Sequence, residues 1–138
     1  MILIDSNIFM YAAGAEHPHK EPSRVFLEQV ALGQIDAALD TEVLQEVLHR
    51  YRSLRRWPEG GRVYDLARQI VPLVIPITVE TLDKARTLLD RYPTLSARDA
   101  LHAAVVQTHG ARAICSYDSD FDGIEGVERI EPPAIGNL

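Results

Sequence analysis

The stretch Met1-Ile2-Leu3-Ile4-Asp5 begins the chain with a short apolar run that ends at an acid. The same arrangement recurs near the other end, where Ala113-Ile114-Cys115-Ser116 is followed by Asp118. Short apolar runs that alternate with helical periodicity predict βαβ units on a parallel sheet. Ligands of open α/β sheets bind beyond the carboxyl ends of the strands. We therefore expect both acids at one edge of the sheet.

The rest of the chain repeats this alternation of strands and helices. Predicted strands cover about residues 1–5, 35–39, 73–77, 112–116 and 127–130, and predicted helices cover about 22–32, 41–56, 62–71, 78–90 and 96–109, with a shorter helical stretch at 8–12. Trp57-Pro58-Glu59-Gly60-Gly61 is predicted to be a loop. Pro72 and Pro76 indicate that the third strand lies at a sheet edge, and Gly110 stands where a helix C-cap belongs.

Length and composition are typical of one globular domain over residues 1–138. Twenty acids against fourteen Lys and Arg give a net charge of −6, which argues against broad, nonspecific nucleic-acid binding but not against a nuclease. Cys115 is the only cysteine, so we expect a small buried hydrophobe and no intrachain disulfide. The first residues lack the basic region of a signal peptide, and no apolar run is long enough for a membrane span. We expect a soluble, cytoplasmic protein.

Five acids are candidates for one site: Asp5, Glu46, Asp99, Asp118 and Asp120. Three of them follow predicted strands, one opens a helix, and Glu46 lies within a helix. Carboxylates that gather at a sheet edge repel each other unless a cation joins them. Oxygen ligands of this kind suit Mg²⁺ or Mn²⁺.

Two of these acids could instead cap helices. Asp5 could cap the helix that follows it, although Ser6 and Asn7 are equally able to do so. Asp99 fits a capping box with Ser96, and an acid in the first turn suits the helix dipole. A carboxylate can accept a backbone hydrogen bond and still face a metal, so both interpretations stay open.

Glu46 has the strongest structural alternative. It forms an i, i+4 pair with Arg50 in the favourable orientation, and Glu42 is a rival acid one turn earlier. Asp118 and Asp120 could belong to a polar turn, although strand alternation would send both to the same side.

Four short motifs carry a resemblance: Asp5-Ser6-Asn7, Gln45-Glu46-Val47, Arg98-Asp99-Ala100-Leu101-His102-Ala103-Ala104 and Ser116-Tyr117-Asp118-Ser119-Asp120-Phe121. In this order they resemble the four acidic motifs of the PIN-domain nucleases. Within that family the chain is most similar to the VapC-type ribonuclease toxins of toxin–antitoxin pairs. No single motif is specific, but four in order over residues 5–121 are. The family often has Thr where this chain has Ser116, and the small hydroxyl is kept.

The resemblance implies a three-layer α/β/α PIN-like fold around a mostly parallel sheet of four to five strands. It implies an endoribonuclease that uses Mg²⁺, with Mn²⁺ as substitute, and water activated by the metal to leave 3′-hydroxyl and 5′-phosphate ends. Asp5 and Asp99 would hold one ion. Glu46 and Asp118 would complete the site, with Asp120 as a further candidate. The implied partners are RNA, a cognate antitoxin and a second copy in a homodimer.

Other classes of function remain open at this point. A phosphoacceptor domain would need two adjacent acids after the first strand, and a haloacid-type phosphatase would need an acid at position 7, where the chain has Asn7. A nonhydrolytic PIN-like interaction module usually lacks one or more of the acids.

Some polar residues outside the acids also belong to these hypotheses. Asn7 and Ser116 are expected to position water or a ligand carboxylate. We interpret His102 as a structural histidine rather than a phosphate contact. The basic segment Arg50–Arg56 is either a solvated helix end or a surface for RNA or for an acidic partner.

Overall fold

The computed structural model describes residues 1–133, and residues 134–138 of the predicted domain lie outside the described part. Its strands are β1 (Ile2–Ile4), β2 (Ala37–Asp40), β3 (Val74–Ile75), β4 (Ala113–Cys115) and β5 (Arg129–Ile130). Its α-helices are α1 (Ser6–Ala13), α2 (Lys20–Ala31), α3 (Thr41–Ser53), α4 (Trp57–Ile70), α5 (Val79–Arg91) and α6 (Ala97–His109). One turn of 3₁₀-helix covers Ser119–Phe121.

The five strands form one parallel sheet in the order β3-β2-β1-β4-β5. The apolar side chains of β1 alternate between its faces: Ile4 packs with α1–α4, and Leu3 packs with α5 and α6. This is the predicted three-layer α/β/α fold. The prediction that the third strand lies at an edge is also confirmed, and Gly110 ends α6 with a left-handed φ of 63°.

The strand order places β1 beside both β2 and β4, so the connections leave β1 in opposite directions. Such a switch point opens a crevice at the carboxyl ends of the strands. Asp5 follows β1 directly, Ser116 follows β4, and Asp40 is the last residue of β2. The fold therefore brings the ends of three neighbouring strands to one place.

One predicted loop is wrong. Residues 57–61 form the first turn of α4, and the Gly60 amide donates to the carbonyl of Arg56 at 3.0 Å. Pro58 is tolerated because the first turn of a helix has no intrahelical acceptor for its amide. Gly60 is needed because a Cβ there would lie 2.5 Å from Cβ of Tyr51 on α3. The glycine thus serves close packing of α3 against α4. Within residues 1–133, no helix is long and apolar enough to cross a membrane.

Candidate active site

A groove of about 690 Å³ opens at the carboxyl ends of the strands. Four of the five predicted site acids line it: Asp5, Glu46, Asp99 and Asp118. Asp120 is exposed and does not line the groove, although its carboxylate lies close to those of Asp99 and Asp118. Glu42, the rival of Glu46, also lies outside the groove lining. The site thus draws acids from β1, α3, α6 and the loop after β4.

Asp5 is buried and held by three hydrogen bonds. Its Oδ1 accepts from the Ser6 amide at 2.8 Å, which makes Asp5 the N-cap of α1. Of the three possible caps, Asp5, Ser6 and Asn7, the structure uses Asp5. Its Oδ2 accepts from Ser116 Oγ at 2.6 Å and from Asn7 Nδ2 at 3.3 Å. A carboxylate has about four acceptor positions, so Asp5 has room for one more partner.

Ser116 links the first and last motifs. Its hydroxyl donates to Asp5 and accepts from Asn7 Nδ2 at 3.1 Å and from the Asp118 amide at 3.0 Å. One donor and two acceptors use the full capacity of a hydroxyl. Asn7 and Ser116 thus position the Asp5 carboxylate, as expected from the sequence.

Glu46 is held by contacts with residues that are distant in the sequence, not by its neighbours on α3. Its Oε2 accepts from Ser6 Oγ at 2.5 Å, and its Oε1 lies 2.6 Å from His102 Nε2. Among residues 1–133 no ion pair joins Glu46 to Arg50, so the structural alternative for this acid is wrong. The side chain turns toward the sheet edge instead of lying along the helix surface.

His102 is fully buried beneath the acids, which bears out its interpretation as a structural histidine. Its Nδ1 lies 2.7 Å from Asp40 Oδ2, and its Nε2 lies 3.7 Å from Asp5 Oδ1 in addition to the Glu46 contact. Two close carboxylates can both accept only when both ring nitrogens carry protons. Burial by itself lowers the pKa of His102, but the charges and hydrogen bonds of Asp40 and Glu46 outweigh it and hold the pKa well above the usual range. The ring is a buried imidazolium.

Asp40 and Ser6 were missed as members of this arrangement. Asp40 caps α3 by accepting from the Val43 amide at 3.0 Å. Its second oxygen holds His102, which is 62 residues away in the sequence. The position of Asp40 at the end of a strand, like that of Asp5 after β1, was a signal that could have placed it at the site. We call Asp5, Asp40, Glu46 and His102 the inner cluster.

Asp99, Asp118 and Asp120 form a second group, which we call the outer cluster. Burial and the neighbouring carboxylates of Asp118 and Asp5 raise the pKa of Asp99 to about 7. Burial also raises the pKa of Asp5, against the opposing effects of His102 and Ser116. Near neutral pH, the groove therefore favours binding of a cation or a proton.

The donor atoms fit a divalent metal ion. Carboxylate oxygens of Asp5 and Glu46 lie within 4.8 Å of each other, and those of the three outer-cluster acids do so as well. His102 offers no ligand atom, because both of its ring nitrogens are bound to carboxylates. Oxygen-rich sets of this kind suit Mg²⁺ and Mn²⁺. The predicted pair of metal ligands, Asp5 and Asp99, is divided between these groups. Both acids line the same groove, and the pairing stays a prediction.

Comparisons with known proteins now identify the family. A family model described as the PIN domain matches residues 2–127. The chain belongs to the PIN domain family. It is 43% identical over 130 residues to ribonuclease VapC13 of Mycobacterium tuberculosis, covering 94% of this chain and 99% of that relative.

Solved structures of two other bacterial proteins share the fold. The structure of VapBC2 from Rickettsia felis bound to a DNA fragment from its promoter aligns with a TM-score of 0.74, at 18% identity over 95% of this chain and 98% of that one. A toxin–antitoxin complex from Klebsiella pneumoniae aligns with a TM-score of 0.70, at 20% identity over 98% of this chain and 100% of that one. At these identities the likeness supports the fold alone.

Proposed function

We propose that this protein is a divalent-metal-dependent endoribonuclease that hydrolyses RNA phosphodiesters, and that it is the toxin of a toxin–antitoxin pair. The observation that carries the proposal is the convergence of Asp5, Glu46, Asp99 and Asp118 on one groove at the switch point of the sheet. The ribonuclease name of the VapC13 relative supports the choice of RNA as substrate. A nonhydrolytic PIN-like module usually lacks one or more of these acids, and this chain has all of them.

In this proposal Asp5 and Asp99 hold the metal ion, and Glu46 and Asp118 flank it. A bound divalent ion lowers the pKa of water and neutralises negative charge that develops at the phosphate. Asp5 contributes a fixed carboxylate, because Ser116 and Ser6 prevent its rotation. Asp118 contributes a carboxylate oxygen that can orient the attacking water. The inner cluster keeps Glu46 in place through Ser6 and His102.

No side-chain nucleophile is required for this reaction. Cys115 is fully buried, and burial raises the pKa of its thiol, which removes it from consideration as a nucleophile. Attack by water leaves the fragments with 3′-hydroxyl and 5′-phosphate ends, as expected from the resemblance.

The proposal extends to partners and location. A cognate antitoxin is supported by the toxin–antitoxin complexes among the structural neighbours. Arg50 and Arg56 line the groove mouth and would pair with an acidic antitoxin segment. A homodimer is supported by the exposed apolar side chains of Leu73, before β3, and of Val79 and Leu82 on α5. The protein would meet RNA and its antitoxin in the cytoplasm.

Cleavage of single-stranded or looped RNA tests the proposal. We expect cleavage with Mg²⁺ or Mn²⁺, loss of cleavage in EDTA, and recovery when Mn²⁺ is added back in excess. Undiminished cleavage in EDTA would contradict the metal-dependent mechanism. A strict monomer at micromolar concentration in light scattering, with no partner protein co-purifying from the native host, would contradict the toxin assignment.

A further inference from the structure

Four rings gather at one end of the acidic groove and form what we call the ring cluster: Tyr11, His17, His19 and Tyr117. The centroids of Tyr11 and His17 lie 4.7 Å apart, and those of His19 and Tyr117 lie 3.7 Å apart with planes only 10° from parallel. Tyr11 and Tyr117 meet edge to face at 5.3 Å. The rings come from α1, the connection before α2 and the loop after β4.

The ring cluster is continuous with the acids. Tyr11 and His17 line the same groove as Asp5 and Asp118. Tyr11 lies one helical turn beyond Asn7, which is about 6 Å along α1. Tyr117 stands between two site residues in sequence, and its amide donates to Asn7 Oδ1 at 3.4 Å. A ligand held at the acids therefore extends directly onto these rings.

The rings are held in place by polar contacts of their own. His17 Nδ1 accepts from the His19 amide at 3.0 Å, which orients the His17 ring. Lys20 Nζ donates to the Gly14 carbonyl at 2.7 Å and closes the connection that carries both histidines. Ser23 Oγ lies 3.4 Å from the Tyr117 hydroxyl. A surface ordered before binding loses little conformational entropy when a ligand arrives.

The groove also contains cationic side chains. Arg50 and Arg98 line it, and within residues 1–133 neither forms an ion pair with a carboxylate. Guanidinium groups for phosphates beside flat rings for bases are the combination that binds single-stranded RNA.

We propose that the ring cluster is a stacking subsite for one unpaired RNA base adjoining the phosphate held at the acids, with Tyr11 and His17 facing the base. The subsite rests on the proposed function and adds a specific element to it: the enzyme selects RNA whose bases are unstacked near the cleavage point. His19 and Tyr117 are positioning residues that support the two rings in the groove.

The test is RNA binding by full-length protein in an Asp99→Asn background without added divalent metal, where slowed cleavage leaves the probe intact during the measurement. The probe is a fluorescent single-stranded oligouridylate of about ten nucleotides, long enough for one single-strand site. We expect Tyr11→Ala and His17→Ala each to weaken binding by about 10-fold, the loss of one stacked base. Tyr11→Phe keeps the ring and should bind normally. Tyr64→Ala, a matched half-buried tyrosine on α4 outside the groove, should also bind normally.

A second probe series assigns the effect to a base. Each oligonucleotide in it carries one abasic position, and we expect one position at which Tyr11→Ala no longer weakens binding. Normal binding by both alanine variants would overturn the subsite. So would a loss that is equal at every abasic position, or a loss confined to antitoxin binding. If the wild-type enzyme cleaves RNA but any of these contrary results is obtained, only the proposed stacking subsite is contradicted. If it neither binds nor cleaves RNA, the proposed function fails with it.

Discussion

The inner and outer clusters place similar acids side by side but balance their charge differently. In the inner cluster the buried imidazolium of His102 contacts Asp40 and Glu46 and lies near Asp5. In the outer cluster no Lys, Arg or His side chain among residues 1–133 pairs with Asp99 or Asp118, and burial with the charges of Asp118 and Asp5 raises the pKa of Asp99 to about 7. His102 thus balances Asp40 and Glu46 within the chain, whereas Asp5 and the outer cluster depend on a cation from solution.

This difference assigns the clusters separate tasks. A carboxylate fixed by an internal cation keeps its geometry whether or not a ligand is present. A carboxylate whose pKa is raised by neighbouring acids exchanges its proton for a metal ion at little cost. Acids at one sheet edge can therefore serve two purposes: some keep the site in shape, and others bind the metal ion. Substitutions in each cluster can distinguish these purposes.

The largest effect should come from removing the internal cation. His102→Leu leaves buried carboxylates without a partner, so we expect the free energy of unfolding to fall by about 3–5 kcal/mol. Urea unfolding measures it. His109→Leu, at the exposed end of the same helix, is the control and should change stability by less than about 0.5 kcal/mol. Equal stability of the two variants would mean that His102 does not balance the inner acids.

Substitution in the outer cluster should lower activity without lowering stability. Asp99→Asn is expected to lower the rate of RNA cleavage about a hundredfold, on the order of 2.7 kcal/mol of barrier. The metal-free variant should be at least as stable as wild type at pH 8, because a repelling carboxylate has been removed. Asp5→Asn should also lose activity but should be less stable, since Asp5 accepts from Ser6 and Ser116.

The exposed acid of the outer cluster offers a control for this comparison. Asp120 lies outside the groove lining, so Asp120→Asn should reduce cleavage by less than Asp99→Asn does. Initial rates at saturating RNA compare the two variants. A larger loss for Asp120→Asn would contradict the assignment of Asp99 as a metal ligand.

The smallest effect is a dependence of stability on pH in the metal-free protein. The folded state keeps protons on Asp99 and Asp5 that the unfolded chain has already lost, so stability falls as pH rises from about 4 toward 7. His102 acts in the same direction, because its raised pKa contributes stability that is lost as pH rises through that pKa. We expect higher stability at pH 5.5 than at pH 8. The acids with lowered pKa values, such as Glu21 and Asp122, titrate below this window.

The size of this effect is limited because Asp99 is partly open to water, which screens its interactions. Thermal unfolding at the two pH values measures the difference, and Asp99→Asn should reduce it. A wild-type protein that is more stable at pH 8 than at pH 5.5 would show that the outer cluster is not strained.

Much of the fold could be predicted from local patterns. The apolar run before Asp5 and the prolines at 72 and 76 identify a central strand and an edge strand without any long-range information. The start of α4 could not be predicted in this way. Its Gly60 favours a turn locally, and only the side chain of Tyr51 on α3 gives the glycine a place inside a helix.

The site was predictable to a similar degree. Strand ends and helix starts identify the acids, and four of the five line one groove. The partner of Glu46 could not be predicted, because its contacts with Ser6 and His102 join residues 40 and 56 positions apart. Helical periodicity suggests only neighbours such as Arg50. The position of His102 between these acids could not be predicted either, because it depends on how α6 packs against the end of β2.

The most direct test of the metal site is thermal unfolding with and without Mn²⁺, in wild type, Asp5→Asn and Asp99→Asn. At about a hundred times its dissociation constant, Mn²⁺ should stabilise the wild-type protein by ~2.7 kcal/mol near neutral pH. The gain should shrink at pH 5.5, because protons and metal compete for the same oxygens. Both variants should lose most of it. An equal Mn²⁺-induced shift of the melting temperature in all three proteins would mean that the ion binds elsewhere.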